Sequence, residues 1–164
     1  MIKYNIDKKN GGGVMNKELD SKQVLNELLV DLFNHILLLE ERNLKNNDLK
    51  DLSMTEIHVI ESIGKSDYKS MSEVAKRLMI TVGTLTISVN RLVQKGYVSR
   101  QRSEKDRRVV LVDLTEKGQD AFEIHEDFHK KMIEKILKNT KIAEDELLIG
   151  SLQNVIEFFD QFKV

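Results

Sequence analysis

The 164-residue chain predicts a mainly α fold carrying one small β-hairpin, and three observations predict it. Proline is absent, so helices are permitted almost anywhere. Apolar residues recur at helical spacing in six segments, four of which open on a serine or threonine placed to cap a helix. Only residues 97–114 alternate with a period of two, around a charged turn.

Residues 1–19 read as a polar extension. They contain Gly11, Gly12 and Gly13 and stand around a second methionine, Met15, a possible translation start. The first helix is expected over residues 20–46. Leu25, Leu28, Leu29, Leu32, Phe33, Ile36, Leu37 and Leu39 cover most of its circumference, a pattern that predicts packing on more than one side, including against a partner chain.

Three short helices follow. "SMTE" (Ser53 to Glu56) and "SMSE" (Ser70 to Glu73) both fit a capping box, with Ser as N-cap and Glu at the third helical position. The first of these helices runs to about Gly64 and the second through Leu78. Thr81 caps the third, which ends before Gly96, a suitable residue for the position after a helix. Only Met79 and Ile80 separate the second from the third. Tyr97 and Val98 then lead into "SRQR", a turn at "SEKD", and a return strand "RRVVLVDL". Thr115 caps a long helix to about Leu137. A last helix is expected from about Ala143 to Phe162, with Leu147, Leu148, Leu152, Val155, Ile156 and Phe159 as its stripe.

Hydrophobic residues at 40% and charged residues at 32% suit a packed domain rather than a disordered chain. No apolar run is long enough to cross a membrane and no signal-peptide core is present, so a cytoplasmic protein is expected. The absence of cysteine excludes disulfides and thiolate metal sites. No Gly-rich phosphate loop, H-E-x-x-H or G-x-S-x-G occurs, and the carboxylates are expected on solvated helix faces, so an enzyme is not expected.

The charge is unevenly placed. Between Arg91 and Arg108 there are seven basic residues and two acidic ones, although the whole chain carries −1. Two short helices joined by a tight turn and followed by an arginine-rich hairpin form a winged helix-turn-helix. A helix fits the major groove of B-DNA, and a narrow hairpin tip suits the neighbouring minor groove, whose negative potential attracts arginine.

On the helix after Thr81, Leu85, Val89 and Leu92 form the inward stripe. The opposite face offers Gly83, Thr84, Thr86, Ile87 and Asn90, with Arg91 at its margin. The methyl groups of Thr and Ile suit thymine, and Asn90 suits adenine or a phosphate, so an operator rich in A·T pairs is expected. An apolar Ile87 on a face otherwise open to water points to a DNA contact. Arg100, Arg102 and Lys105 are available for phosphates, and Arg107 is a further DNA-binding candidate.

The stretch "LMITVGTLTISVNRLVQKGYVSRQRSEKDRRVVLVDLTEKG" resembles the MarR family of bacterial transcription regulators. The family's wing pattern is matched by Asp106-Arg107-Arg108, the strand Val109 to Asp113, and Leu114-Thr115. The resemblance spans nearly all of residues 20–162. It implies a homodimer built on residues 20–46 and 115–162, with the winged helix-turn-helix at residues 53–114. It also implies that Arg108 enters the minor groove and that Asp106 orients it. "LLLEERNLK", "EIHVIESIGK" and "HEDFHKKMIEKI" are similar to the members that repress fatty-acid synthesis genes in Gram-positive bacteria. For those, a long-chain acyl group on acyl carrier protein is the implied corepressor, and Phe33, Ile36, Ile57 and Val59 are candidates for the lining of its tunnel.

His125 and His129 stand four residues apart on one helix face, which is metal-ligand spacing. His35 or His58 would supply a third ligand. A zinc-responsive repressor holding zinc through His35, His125 and His129 is therefore the alternative function.

Overall fold

The computed structural model describes residues 21–65 and 69–161. The extension at residues 1–19, including Met15, and the two outermost helix ends, at Asp20 and Phe162, lie outside the described residues. The chain divides into two units between His35 and Ile36.

In the first unit, α1 covers Ser21–Asn26 and is followed by a π-helical segment at Glu27–Leu32. Helix α2, Phe33–Asn46, begins there and continues into the second unit. Of the apolar residues here that predict burial, Leu25, Leu29, Leu32 and Phe33 are exposed in this single chain and Leu28 is half-buried; Val24 and Val30 are exposed as well.

The second unit is built around α3 (Met54–Gly64), α4 (Met71–Arg77) and α5 (Val82–Gln94). Each predicted cap is present. Ser53 and Ser70 both close capping boxes with Glu56 and Glu73, and the Thr81 hydroxyl accepts from the Thr84 N–H. The turn between α4 and α5 passes through Met79 at φ 54°, and the Ile80 N–H returns to the Ala75 carbonyl at 3.0 Å. The core lies beneath these helices. Ile57, Val59 and Ile60 of α3 and Leu85, Val89 and Leu92 of α5 are fully buried. Burial of each large side chain stabilises by about 1.5–3 kcal/mol.

The sheet has three strands in the order β1-β3-β2, all antiparallel: β1 at Lys69–Ser70, β2 at Val98–Arg102 and β3 at Val110–Leu114. A two-residue strand has no periodicity, so the sequence predicts only the hairpin of β2 and β3. Val98 pairs with Leu114 and Arg102 with Val110. The return strand therefore starts at Val110 rather than Arg107, and both Arg107 and Arg108 belong to the connecting loop.

Two glycines fix the base of the hairpin. Gly96 adopts φ +79°, a conformation that costs other residues energy, and lets the chain leave α5. A Cβ on Gly118 would lie 2.0 Å from the Tyr97 carbonyl oxygen, so only glycine lets the start of α6 (Glu116–Asn139) approach β2 so closely. Thr115 joins them further: its N–H donates to the Tyr97 carbonyl at 3.0 Å and its hydroxyl to the Gly96 carbonyl at 2.6 Å.

A 3-10 turn at Ile142–Glu144 precedes α7 at Glu146–Asp160. The last helix starts three residues later than its apolar pattern predicts, because the Asp145 side chain takes the cap and accepts from the Leu148 N–H at 3.0 Å. Leu147, Ile156, Phe158 and Phe159 of α7 are exposed.

Candidate nucleic-acid interface

Helix α5 turns one face to the core and the other to solvent. Leu85, Ser88, Val89 and Leu92 are buried, while Gly83, Thr84, Ile87, Asn90 and Arg91 are exposed and Thr86 is half-buried. The predicted reading face is therefore present as one surface. Ile87 is 57% exposed, which no packing within this chain explains. Local bonds decide what each threonine can offer. The Thr86 hydroxyl donates to the Val82 carbonyl at 2.7 Å, leaving its methyl group as the free contact. The hydroxyls of Thr81 and Thr84 lie 2.9 Å apart at the helix start.

The wing tip, residues 103–109, is held by its own polar atoms. Ser103 Oγ accepts from the Lys105 N–H at 3.3 Å and the Asp106 N–H at 3.4 Å. The Val109 N–H donates to the Asp106 carbonyl, and the Ser103 N–H to the Val109 carbonyl. Asp106 Oδ1 accepts from the Arg108 N–H at 2.9 Å. Among the described residues no carboxylate stands within ion-pair distance of the Arg108 guanidinium. Asp106 thus shapes the turn on which Arg108 stands, whereas the resemblance leaves open how it orients that arginine. Arg100 and Arg102 on β2, and Lys105, Arg107 and Arg108 in the tip, are all exposed.

A second network fixes how α5 meets the wing. Lys95, at the end of α5, donates to the Glu56 carboxylate at 2.8 and 2.9 Å and to the Asp51 carbonyl. Burial pushes the Glu56 carboxyl up. The bonds from Lys95 and Ser53 outweigh that, and its pKa lies below the ordinary carboxylate value. The Tyr97 hydroxyl donates to Asp51 Oδ1 at 2.9 Å, and Lys117 stands 3.9 Å from the centre of the Tyr97 ring. Burial and Asp51 hold the phenol well above its usual pKa. Nothing in the sequence marks this network, because Lys95 and Lys117 lie far along the chain from Asp51 and Glu56.

Of the proposed tunnel residues, Ile57 and Val59 are plain core, Ile36 is half-buried and Phe33 is 62% exposed. A groove of about 450 Å³ instead lies beside α2 and α6, its apolar wall made by Leu39, Ile124, Phe128, Met132 and Ile136. Lys131 and Lys135 also line it.

The histidines are partly as expected. The Nε2 atoms of His125 and His129 are 3.1 Å apart. His35 is exposed, and the third residue of their group is Glu40. Glu40 is only 3% exposed, which corrects the expectation that the carboxylates are solvated. A signal for it exists in the sequence: Glu40 lies four residues before Leu44 and three after Leu37, on the inward stripe of its helix. His58 stands 3.5 Å from the second oxygen of Glu40. Burial, with His129 adding to it, lowers the His125 imidazole to a pKa of about 4 and so keeps it neutral.

Comparison with known proteins is consistent with this geometry. A family profile described as the MarR family matches residues 52–110. The transcriptional regulator BilQ of Clostridium symbiosum is 32% identical over 105 residues, which cover 63% of this chain and 72% of that protein. SarZ of Staphylococcus haemolyticus is 33% identical over 115 residues, covering 69% of this chain and 74% of its own length. Among solved structures, Streptococcus pneumoniae FabT in complex with DNA superposes with a TM-score of 0.82 at 43% identity, covering 87% of this chain and all of the other. The Staphylococcus aureus MepR–DNA complex, at 17% identity and a TM-score of 0.69, shares the fold.

Proposed function

We propose that this chain, which belongs to the MarR family of DNA-binding transcriptional regulators, is a homodimeric repressor of fatty-acid synthesis genes whose corepressor is a long-chain acyl group on acyl carrier protein. The observation that carries the DNA-binding part is the pairing of an exposed, nearly uncharged helix face with an exposed basic hairpin on one unit. Gly83, Thr84, Thr86, Ile87, Asn90 and Arg91 read the major groove. Arg108 enters the flanking minor groove, with Arg100, Arg102, Lys105 and Arg107 on phosphates and Asp106 shaping the tip. The exposed apolar residues of α1 and of α7 supply the surfaces that a second copy would cover, and a two-fold dimer requires a pseudo-palindrome with half-sites about 10 bp apart or slightly more.

The similarity to FabT supports fatty-acid genes as targets. The groove beside α6 suits an aliphatic chain, since its wall is apolar and its size lies within the range of small-molecule sites. Lys131 and Lys135 place positive charge beside it for a phosphate-bearing arm or an acidic carrier. The acyl group acts by favouring the spacing of the two α5 helices that fits the operator, a population shift.

The test is binding of the full chain to promoter fragments of fatty-acid synthesis genes, with acyl carrier protein added in acylated and in free form. The acylated form should tighten binding and the free form should not. Equal affinity for these fragments and for scrambled DNA, with or without the acylated carrier, would overturn the proposal.

A further inference from the structure

We propose that Gly83 forms a notch in the exposed face of α5 that takes the 5-methyl group of one thymine in each half-site, with Val82 as a further wall of that notch. This rests on the DNA-binding reading, and it makes an absent side chain the selective element.

The fold does not need this glycine. Gly96 takes a positive φ, whereas Gly64 and Gly118 have no room for a Cβ, which would lie 2.7 Å from the Phe122 ring and 2.0 Å from the Tyr97 carbonyl oxygen. Gly83 has neither reason. Its φ is not positive, and a Cβ there would meet only Thr81 Oγ1, at an ordinary 3.6 Å. Nor is it the helix cap, a position that Thr81 holds. A glycine inside a helix costs conformational entropy that alanine does not. Gly83 is exposed, so the space that a methyl would take is open to a body outside the chain. Gly150 is open as well, and it stands on α7, the helix whose apolar residues are assigned to a second copy.

Carbon borders the open space. Residues three or four apart are neighbours on a helix surface, so Gly83 adjoins both Thr86 and Ile87, and Val82 adjoins Thr86. Val82 is 45% exposed and Ile87 57%, and both side chains are hydrocarbon. The nearby hydroxyls are engaged. That of Thr86 donates to the Val82 carbonyl at 2.7 Å, and those of Thr81 and Thr84 lie 2.9 Å apart. Val and Ile are stiff at χ1, so the walls keep their shape.

In the major groove only thymine carries an apolar group, the methyl at C5. Adenine, guanine and cytosine present donors and acceptors there. A notch lined by methyl groups offers a polar edge no partner and leaves it desolvated. It matches the thymine methyl in size and in polarity.

The experiment selects an operator from random DNA with the full chain, then replaces each thymine in turn by deoxyuridine, which removes only the 5-methyl group. One position per half-site should be sensitive. Substitution in both half-sites should weaken binding by about tenfold, the worth of two buried methyl-sized groups. Gly83→Ala has room to fold and should melt at or above the wild-type temperature. It should bind the thymine operator at least about fivefold more weakly, the effect of a mismatch, and should no longer favour thymine over deoxyuridine. Val82→Ala should show a smaller deoxyuridine effect than wild type. Deoxyuridine tolerated at every position, or an effect of unchanged size in Gly83→Ala, would overturn the proposal while the DNA-binding reading stands. So would a loss in Gly83→Ala that is equal on operator and scrambled DNA, the mark of a clash with the phosphate backbone. A chain that selects no sequence at all would overturn both.

Discussion

Asp106 governs Arg108 through the backbone: the carboxylate accepts the Arg108 N–H at 2.9 Å, and the two side chains form no ion pair. The aspartate is thus an acceptor that shapes the turn on which Arg108 stands. Asp106→Asn keeps an oxygen at that position and should bind operator DNA within about threefold of wild type. Asp106→Ala removes the acceptor and should weaken binding by about 1 kcal/mol, the ordinary worth of one hydrogen bond. A titration of both variants against one operator checks this, and strong loss in Asp106→Asn would restore a role for the charge.

Ile87 offers only methyl and methylene groups on the exposed face of α5. In the proposed interface its place is against bases rather than phosphates. Ile87→Ala should change the preferred base at one position of each half-site and leave the salt dependence of binding as it was. Binding-site selection at two salt concentrations measures both.

Arg100 and Arg102 are exposed on β2, leading to the tip. As phosphate contacts they carry no sequence information. Replacing either with Gln should weaken binding to every sequence alike and lower the slope of log K against log salt by about 1. An unchanged slope would remove that arginine from the interface.

Glu56 and Lys95 form an ion pair that joins the start of α3 to the end of α5. The Glu56 pKa is lower in the folded chain than its ordinary value. Its contribution to stability is therefore complete above the unfolded pKa and is lost as the pH falls through the folded one. Glu56→Gln should be less stable than wild type at neutral pH by about 1–3 kcal/mol, with the difference shrinking under acid conditions. Denaturant unfolding at neutral and acid pH checks both the size and the direction.

Much of this fold is legible in the sequence, because its helices announce themselves locally. Ser53, Ser70, Thr81 and Thr115 each cap the helix that their spacing predicts. Gly96 takes the positive φ that its place after α5 requires. What escaped was decided over longer distances. Lys69 and Ser70 become a strand only because β3 lies beside them. Glu40 faces histidines 18, 85 and 89 positions away; its place on the inward stripe of its helix is legible, but those partners are not. The exposed face of α5 was legible because a helix with one buried stripe leaves the opposite face determined. The groove beside α6 was not, since its walls come from two helices whose approach no local pattern fixes.

In the proposed complex the wing places Arg108 in a minor groove while α5 lies in the adjacent major groove. The most direct test is the operator affinity of Arg108→Ala at fixed salt, with the oligomeric state measured alongside. The expected result is an unchanged oligomer and a loss of about 1–3 kcal/mol, or about 5- to 150-fold. An Arg108→Ala protein that binds the operator as tightly as wild type would contradict that placement.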